Sequence, residues 1–187
     1  MKILEIKTGY IAMEKHKFNI KDINTLTAPF VLFFINIWNR ILCRPLCKHS
    51  HTFSFVWINE ILYIFEAINK GYKRMTFEDK IKERGIDNFI LLKPTYLYNE
   101  DIFKETALYQ EKQDKYNIAI LIEQIPYQLS DGRIWIGNRK LNGEVVCSKA
   151  DTYNIFKSTN NQLFENFYEI SPNDIFQSEL FKHETLV

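Results

Sequence analysis

The clearest alternation of apolar and polar positions lies in "HTFSFVWINEILYIFEAI", His51 to Ile68. Two runs rich in Phe, Val, Ile, Trp and Tyr flank the polar pair Asn59-Glu60. That is the pattern of a β-hairpin with a two-residue turn. Pairing residues outward from the turn sets Glu66 opposite Phe53 and His51 diagonally beside Glu66 on the same face, within reach of long side chains. A register slip of one residue would put the two on opposite faces instead.

Weaker patterns fill the rest of the chain. Residues 2–6 and 9–13 read as extended segments around Thr8-Gly9. The stretch "APFVLFFINIWNRILC" predicts a buried aromatic helix over residues 29–43, stopped by Pro45. Asn36, Asn39 and Arg40 interrupt it, and a membrane span needs about 20 apolar residues. No integral span is expected, although the broad aromatic face leaves a membrane-surface helix as the alternative. "KGYKR", Lys70 to Arg74, reads as a solvated turn. Thr76 followed three residues on by Asp79 predicts a helix start, and Gly85 its end. "NFILLKP", Asn88 to Pro94, reads as a strand. Asn99 to Tyr116 reads as a helix with Ile102, Leu108 and Tyr109 at helical spacing. "IAILIEQIP" continues as a second helix, and "RIWIG" is a short strand after the "SDGR" loop. A further helix opens at Cys147. Tyr168 to Phe181 reads as a strand, a Ser-Pro helix start and a short terminal helix. These elements describe an α+β fold with an antiparallel sheet packed against helices, not alternating βαβ units.

Length and composition narrow the class. A chain of 187 residues, 46% hydrophobic and 15% aromatic, can bury a substantial core as one domain spanning residues 1–187, and is not disordered. The 24 basic residues nearly balance the 23 acidic ones, so no charge footprint points to nucleic acid. The opening residues lack the apolar run and cleavage site of a signal peptide, which makes the cytoplasm the expected location; viral or non-classical delivery is equally compatible. Three cysteines, an odd number, argue against a disulfide framework. Cys43 and Cys47, followed by His49 and His51, suggest zinc, but no second ligand pair stands at a suitable spacing. No metal or cofactor is expected.

Three residues could carry chemistry. Cys147 sits at a helix start, where free backbone N–H groups and the positive end of the helix dipole stabilise a thiolate and its own N–H could hold an oxyanion. Alone, it reads more readily as a buried inert cysteine. His51 at the hairpin entry could act as its base, with His49 as competitor. Glu66 at the hairpin exit could orient the imidazole. A nucleophile, a base and an orienter form the logic of a triad.

Here the chain resembles a known family. "SHTFSFVWINEILYIFEAINKGYKRMTFEDKI" looks like the His-containing hairpin of circularly permuted papain-like hydrolases, the YiiX-like branch of the NlpC superfamily. Ser50-His51, Glu66-Ala67 and Gly71-Tyr72 stand at the family's positions, and Cys147-Ser148 follows in its order. "KTGYIAM" resembles the opening Gly-Asp-Ile element with Tyr10 in place of Asp, "DKYN" resembles a Tyr-Asp element with Asn117 in place of Asp, and "ISPNDIFQS" resembles a Pro-x-Asp segment. Lys149 stands where the family often has Glu. The resemblance implies a cysteine hydrolase: Cys147 as nucleophile, His51 as base, Glu66 as orienter, Tyr116 as a substrate-binding residue at the oxyanion site. The implied substrate is an amide in a peptide or peptidoglycan-like stem. The alternatives are a lipid acyl hydrolase or acyltransferase on the same fold, a non-catalytic binding protein, and, more remotely, a zinc-binding module.

Overall fold

The structure, a computed structural model, describes residues 3–15, 49–68, 71–113, 115–116, 144–145, 147–165, 170 and 172–186. The helix expected at 29–43, the helix expected at 118–126, the "RIWIG" strand, Cys43 and Cys47 lie outside the described residues.

The hairpin forms as its pattern requires. Strands β2 (His49–Ile58) and β3 (Ile61–Ile68) pair antiparallel from Ile58 opposite Ile61 to Ser54 opposite Phe65. Asn59 and Glu60 take φ of 49° and 64°, the left-handed pair whose twist matches that of the flanking strands. Strands β1 (Ile11–Lys15), β4 (Gly71–Thr76), β5 (Phe89–Pro94) and β8 (Phe181–Thr185) extend the sheet, whose order is β4-β3-β2-β1-β5-β8. Every pairing in it is antiparallel. The short strands β6 (Lys115–Tyr116) and β7 (Glu144–Val145) pair parallel to each other.

Both faces of the sheet are covered, because alternate residues of its strands are apolar on both sides. On one face Phe53, Phe55, Leu62, Ile64 and Phe89 pack with Phe77 of helix α1 (Phe77–Arg84). The Phe55–Phe77 rings meet edge to face at 4.9 Å and Phe53–Phe89 at 5.4 Å; burying each such ring stabilises the fold by about 1.5–3 kcal/mol. Thr76 caps α1 by accepting from the Asp79 N–H, and Gly85 closes it at φ 79°, as the sequence pattern requires. On the other face Val56, Phe65, Ala67 and Tyr72 pack against Phe103 and Ala107 of α2 (Glu100–Gln113), Ala150 and Ile155 of α3 (Cys147–Ser158), and Ile175 of α4 (Pro172–Gln177).

Three expectations are corrected. Residues 3–5 form a 3-10 turn, and the first strand is Ile11–Lys15 rather than 9–13. Lys70–Arg74 is not a solvated turn: Gly71–Thr76 is strand β4, with Tyr72 buried while Lys73 and Arg74 point to solvent. Lysine and arginine on an outermost strand discourage pairing with another chain, and they hid the strand from its pattern. The terminal segment after α4 is strand β8, whose single well-buried side chain, Phe181, offers too little alternation to read.

Candidate functional site

The site grows from an interruption in the hairpin. Phe55 exchanges backbone hydrogen bonds with the β1 side, accepting from the Gly9 N–H at 2.9 Å and donating to the Tyr10 carbonyl at 2.8 Å. By the antiparallel alternation, Thr52 therefore turns its N–H the other way, toward β3. The β2–β3 ladder ends at Ser54–Phe65, one pair short of the expected Phe53–Glu66. Thr52 pairs with Met13 on the β1 side but is left without a partner on β3, and its N–H turns instead to the Cys147 sulfur. Cys147, first residue of α3, thus fills the gap where two strands part.

His51 and Glu66 span the same gap diagonally. His51 Nε2 donates to Glu66 Oε2 at 2.7 Å. This leaves Nδ1 as the ring nitrogen for the thiol, with which His51 also hydrogen-bonds. Glu66 Oε2 further accepts from Lys80 Nζ at 2.8 Å, and Lys80 reaches Glu14 at 3.5 Å. Glu14 pairs opposite His51 across β1–β2. The site is therefore a connected row of Cys147, His51, Glu66, Lys80 and Glu14. Its carboxylates are paired, as buried charges require.

Electrostatics follow from that row. Burial is the largest influence on each of the first three groups and opposes its charged form. For His51, the hydrogen bonds and charges of Cys147 and Glu66 overcome burial and raise the imidazole to about 10. For Cys147, the His51 hydrogen bond and charge, with the Thr52 N–H, overcome burial and lower the thiol. For Glu66, His51 first and then Lys80 overcome burial and hold the carboxyl at about 2. These directions together favour a thiolate–imidazolium pair oriented by a carboxylate. With the sulfur at the α3 N-terminus, the Cys147 N–H stands where an oxyanion would need a donor.

Other expected positions fall elsewhere. Tyr116 lies in β6, its backbone opposite Val145, two residues before Cys147; its side chain, like that of His49, lies outside the described residues. Tyr10 is buried in the Phe53–Phe77 core, and Lys149 is buried. Sequence reasoning overlooked Lys80 and Asp151. Lys80 stands at helical spacing from Phe77, on an otherwise apolar face. Asp151 follows Cys147 by four residues, on the same face of α3.

No family model matches the chain, and no curated protein matches it. Among solved structures, the metalloprotein YiiX of Escherichia coli O157:H7 is similar over 96% of both chains, with a TM-score of 0.61 and 13% identity. The chain has a YiiX-like fold. At this identity the likeness is one of fold alone, and the site rests on this chain's own residues. Among the described residues no helix is long and apolar enough to cross a membrane.

Proposed function

We propose that the chain is a cysteine hydrolase on a circularly permuted papain-like, NlpC-type fold, cleaving an amide bond in a peptide or peptidoglycan-like substrate. The observation that carries this reading is the hydrogen-bonded row from Cys147 at a helix N-terminus through His51 to Glu66. The Cys147 thiolate attacks the carbonyl carbon, and the Cys147 N–H holds the developing oxyanion. The tetrahedral adduct collapses with cleavage of the C–N bond, and the imidazolium gives its Nδ1 proton to the departing amine. A thioester remains on Cys147. His51 then takes a proton from water as the water attacks the thioester. The C–S bond breaks, an acid is released, and the thiolate–imidazolium pair returns. Glu66 keeps Nε2 protonated and the ring in plane, and Lys80 keeps Glu66 ionised. Tyr116 is proposed as a substrate-binding residue on the strength of its backbone position beside the approach to Cys147.

The E. coli neighbour is described as a metalloprotein. Among the described residues of this chain, no three His, Cys, Asp or Glu side chains converge to hold a metal. His51 spends Nε2 on Glu66. Among the described residues, the donor set around Cys147 does not fit a resident metal ion.

The deciding experiment is hydrolysis of peptide-amide and thioester probes by the full chain and by Cys147→Ala, with peptide-resolved alkylation by iodoacetamide across pH. The expected result is loss of hydrolysis in the variant, and alkylation of Cys147 well below the pH at which Cys43 and Cys47 react. Unchanged hydrolysis in Cys147→Ala, or a Cys147 that titrates near the ordinary thiol value of about 8.5, overturns the proposal.

A further inference from the structure

One buried titratable group at the site is unused by this mechanism. Asp151 lies one turn along α3 from Cys147 and is 1% exposed. Neither of its carboxyl oxygens completes a hydrogen bond, and Thr52 Oγ1, which faces it, is also unpartnered. The other facing hydroxyl, Ser54, belongs to a buried chain. Gln110 Nε2 donates to Asn154 Oδ1 at 2.5 Å, Asn154 Nδ2 donates to the Tyr72 hydroxyl at 3.1 Å, and that hydroxyl lies 3.2 Å from Ser54 Oγ. A carboxylate with no cation in contact and no completed hydrogen bond is costly when buried. The neutral acid is the cheaper form.

We propose that Asp151 is a positioning residue that holds a proton beneath the Cys147–His51 pair and, once it gives that proton up, extends upward the pH range over which His51 stays protonated. This rests on Cys147 and His51 forming a charged pair. The groups facing Asp151 are His51, Thr52 and Ser54 from β2, Glu66 from β3 and Cys147 from its own helix. Phe103, Ala107 and Gln110 of α2 and Ile175 of α4 pack beside α3, and none of these four is charged. Burial first, and the Glu66 charge with it, push the carboxyl up to about 7, against the two hydroxyls and His51. Once ionised, Asp151 attracts the imidazolium and opposes the thiolate. The interaction is mutual: His51 eases loss of the Asp151 proton, and ionised Asp151 makes His51 hold its own proton more tightly.

The test follows the Asp151 carboxyl carbon and the His51 ring by NMR through a pH titration of the full chain, in the wild type and in Asp151→Asn and Thr52→Val. In the wild type, the Asp151 carbon should titrate near neutrality and the His51 ring should show a matching inflection below its own alkaline one. Asp151→Asn should erase the neutral inflection and lower the proton affinity of His51 about tenfold, one pKa unit of interaction. Thr52→Val, which removes a facing hydroxyl, should move the neutral inflection to higher pH and keeps the test open if Asp151→Asn fails to fold. An Asp151 carbon that titrates near the ordinary aspartate value of about 3.9, or a His51 curve unchanged in Asp151→Asn, overturns the proposal. A His51 alkaline inflection absent already in the wild type refutes the charged pair itself and is a separate result.

Discussion

Replacing Lys80 tests whether the site depends on a buried cation the chemistry never touches. Lys80→Met keeps the length of the stem and its contact with the Phe53 ring, 5.6 Å from the ammonium in the wild type, while removing the charge. Glu66 then keeps only His51 as a partner, and Glu14 loses one of its cations. The Glu66 carboxyl sits at about 2 against an ordinary 4.5, a difference of about 3 kcal/mol at 1.36 kcal/mol per pKa unit. His51 supplies the larger share of that descent, so Lys80 alone does not account for it. The variant also leaves a carboxylate under-compensated at 7% exposure, for which breaking a buried pair costs about 3–5 kcal/mol. With His51 still in place, the low end applies, and the expected loss at pH 7 is about 3 kcal/mol. The sign with pH is fixed by Glu66. Its folded-state pKa is depressed, so its contribution is present above 4.5 and lost as pH falls toward 2. The stability gap between wild type and Lys80→Met should therefore be widest near neutrality and narrow as pH falls toward 3. Urea unfolding at a series of pH values reads this directly, as a shift in midpoint with the slope unchanged. A gap that stays constant from pH 3 to pH 7 would show that Lys80 acts through packing, and would refute the electrostatic account.

Further outcomes follow from the same geometry. Glu66→Gln removes the carboxylate that holds His51 protonated; the stability that His51 contributes, complete below 6.5 and lost in the wild type as pH rises through about 10, should begin to be lost at lower pH, read by thermal unfolding from pH 6 to 10. The same variant should slow Cys147 alkylation at pH 6 by about tenfold or more, the scale of one pKa unit. Glu60→Gly relieves a left-handed residue at φ 64° and should stabilise the protein by about 1 kcal/mol, measured by urea unfolding; a loss of stability would mean that the Glu60 side chain contributes. Gly9→Ala should destabilise by about 2 kcal/mol or more, because Gly9 has φ +91° and the Tyr98 ring occupies the space of a Cβ; Tyr98→Ala in the same background should recover part of the loss.

What was legible in the sequence was whatever a local pattern dictates. The Asn59-Glu60 turn sets the register of β2 on β3, and with it the meeting of His51 and Glu66, because side-chain period and turn length leave one pairing that buries both apolar runs. The α1 helix was legible for the same reason: Thr76, Asp79 and Gly85 act within one turn of its ends. Strands β4 and β8 were not, because an outermost strand can satisfy itself with one buried residue, Tyr72 or Phe181, among charges.

The arrival of Cys147 at this hairpin was legible only through resemblance, since nothing local relates residue 147 to residue 51. The structure supplies a physical reason for the meeting. A hairpin that ran on to Phe53–Glu66 would spend the Thr52 N–H on β3 and close the space the sulfur occupies. Because the ladder stops at Ser54–Phe65, that N–H turns to the thiol, and His51 and Glu66 lie across an opening rather than a closed sheet. Lys80 enters from one face of the sheet on α1 and Asp151 from the other on α3. Their placement depends on how two helices separated by more than 60 residues pack onto the same two strands, which no window of sequence encodes. The charges that set the site's protonation are thus contributed from both faces through the gap between β2 and β3. A substitution that restored regular pairing there, without touching Cys147, His51 or Glu66, should abolish the low thiol pKa as completely as loss of the histidine.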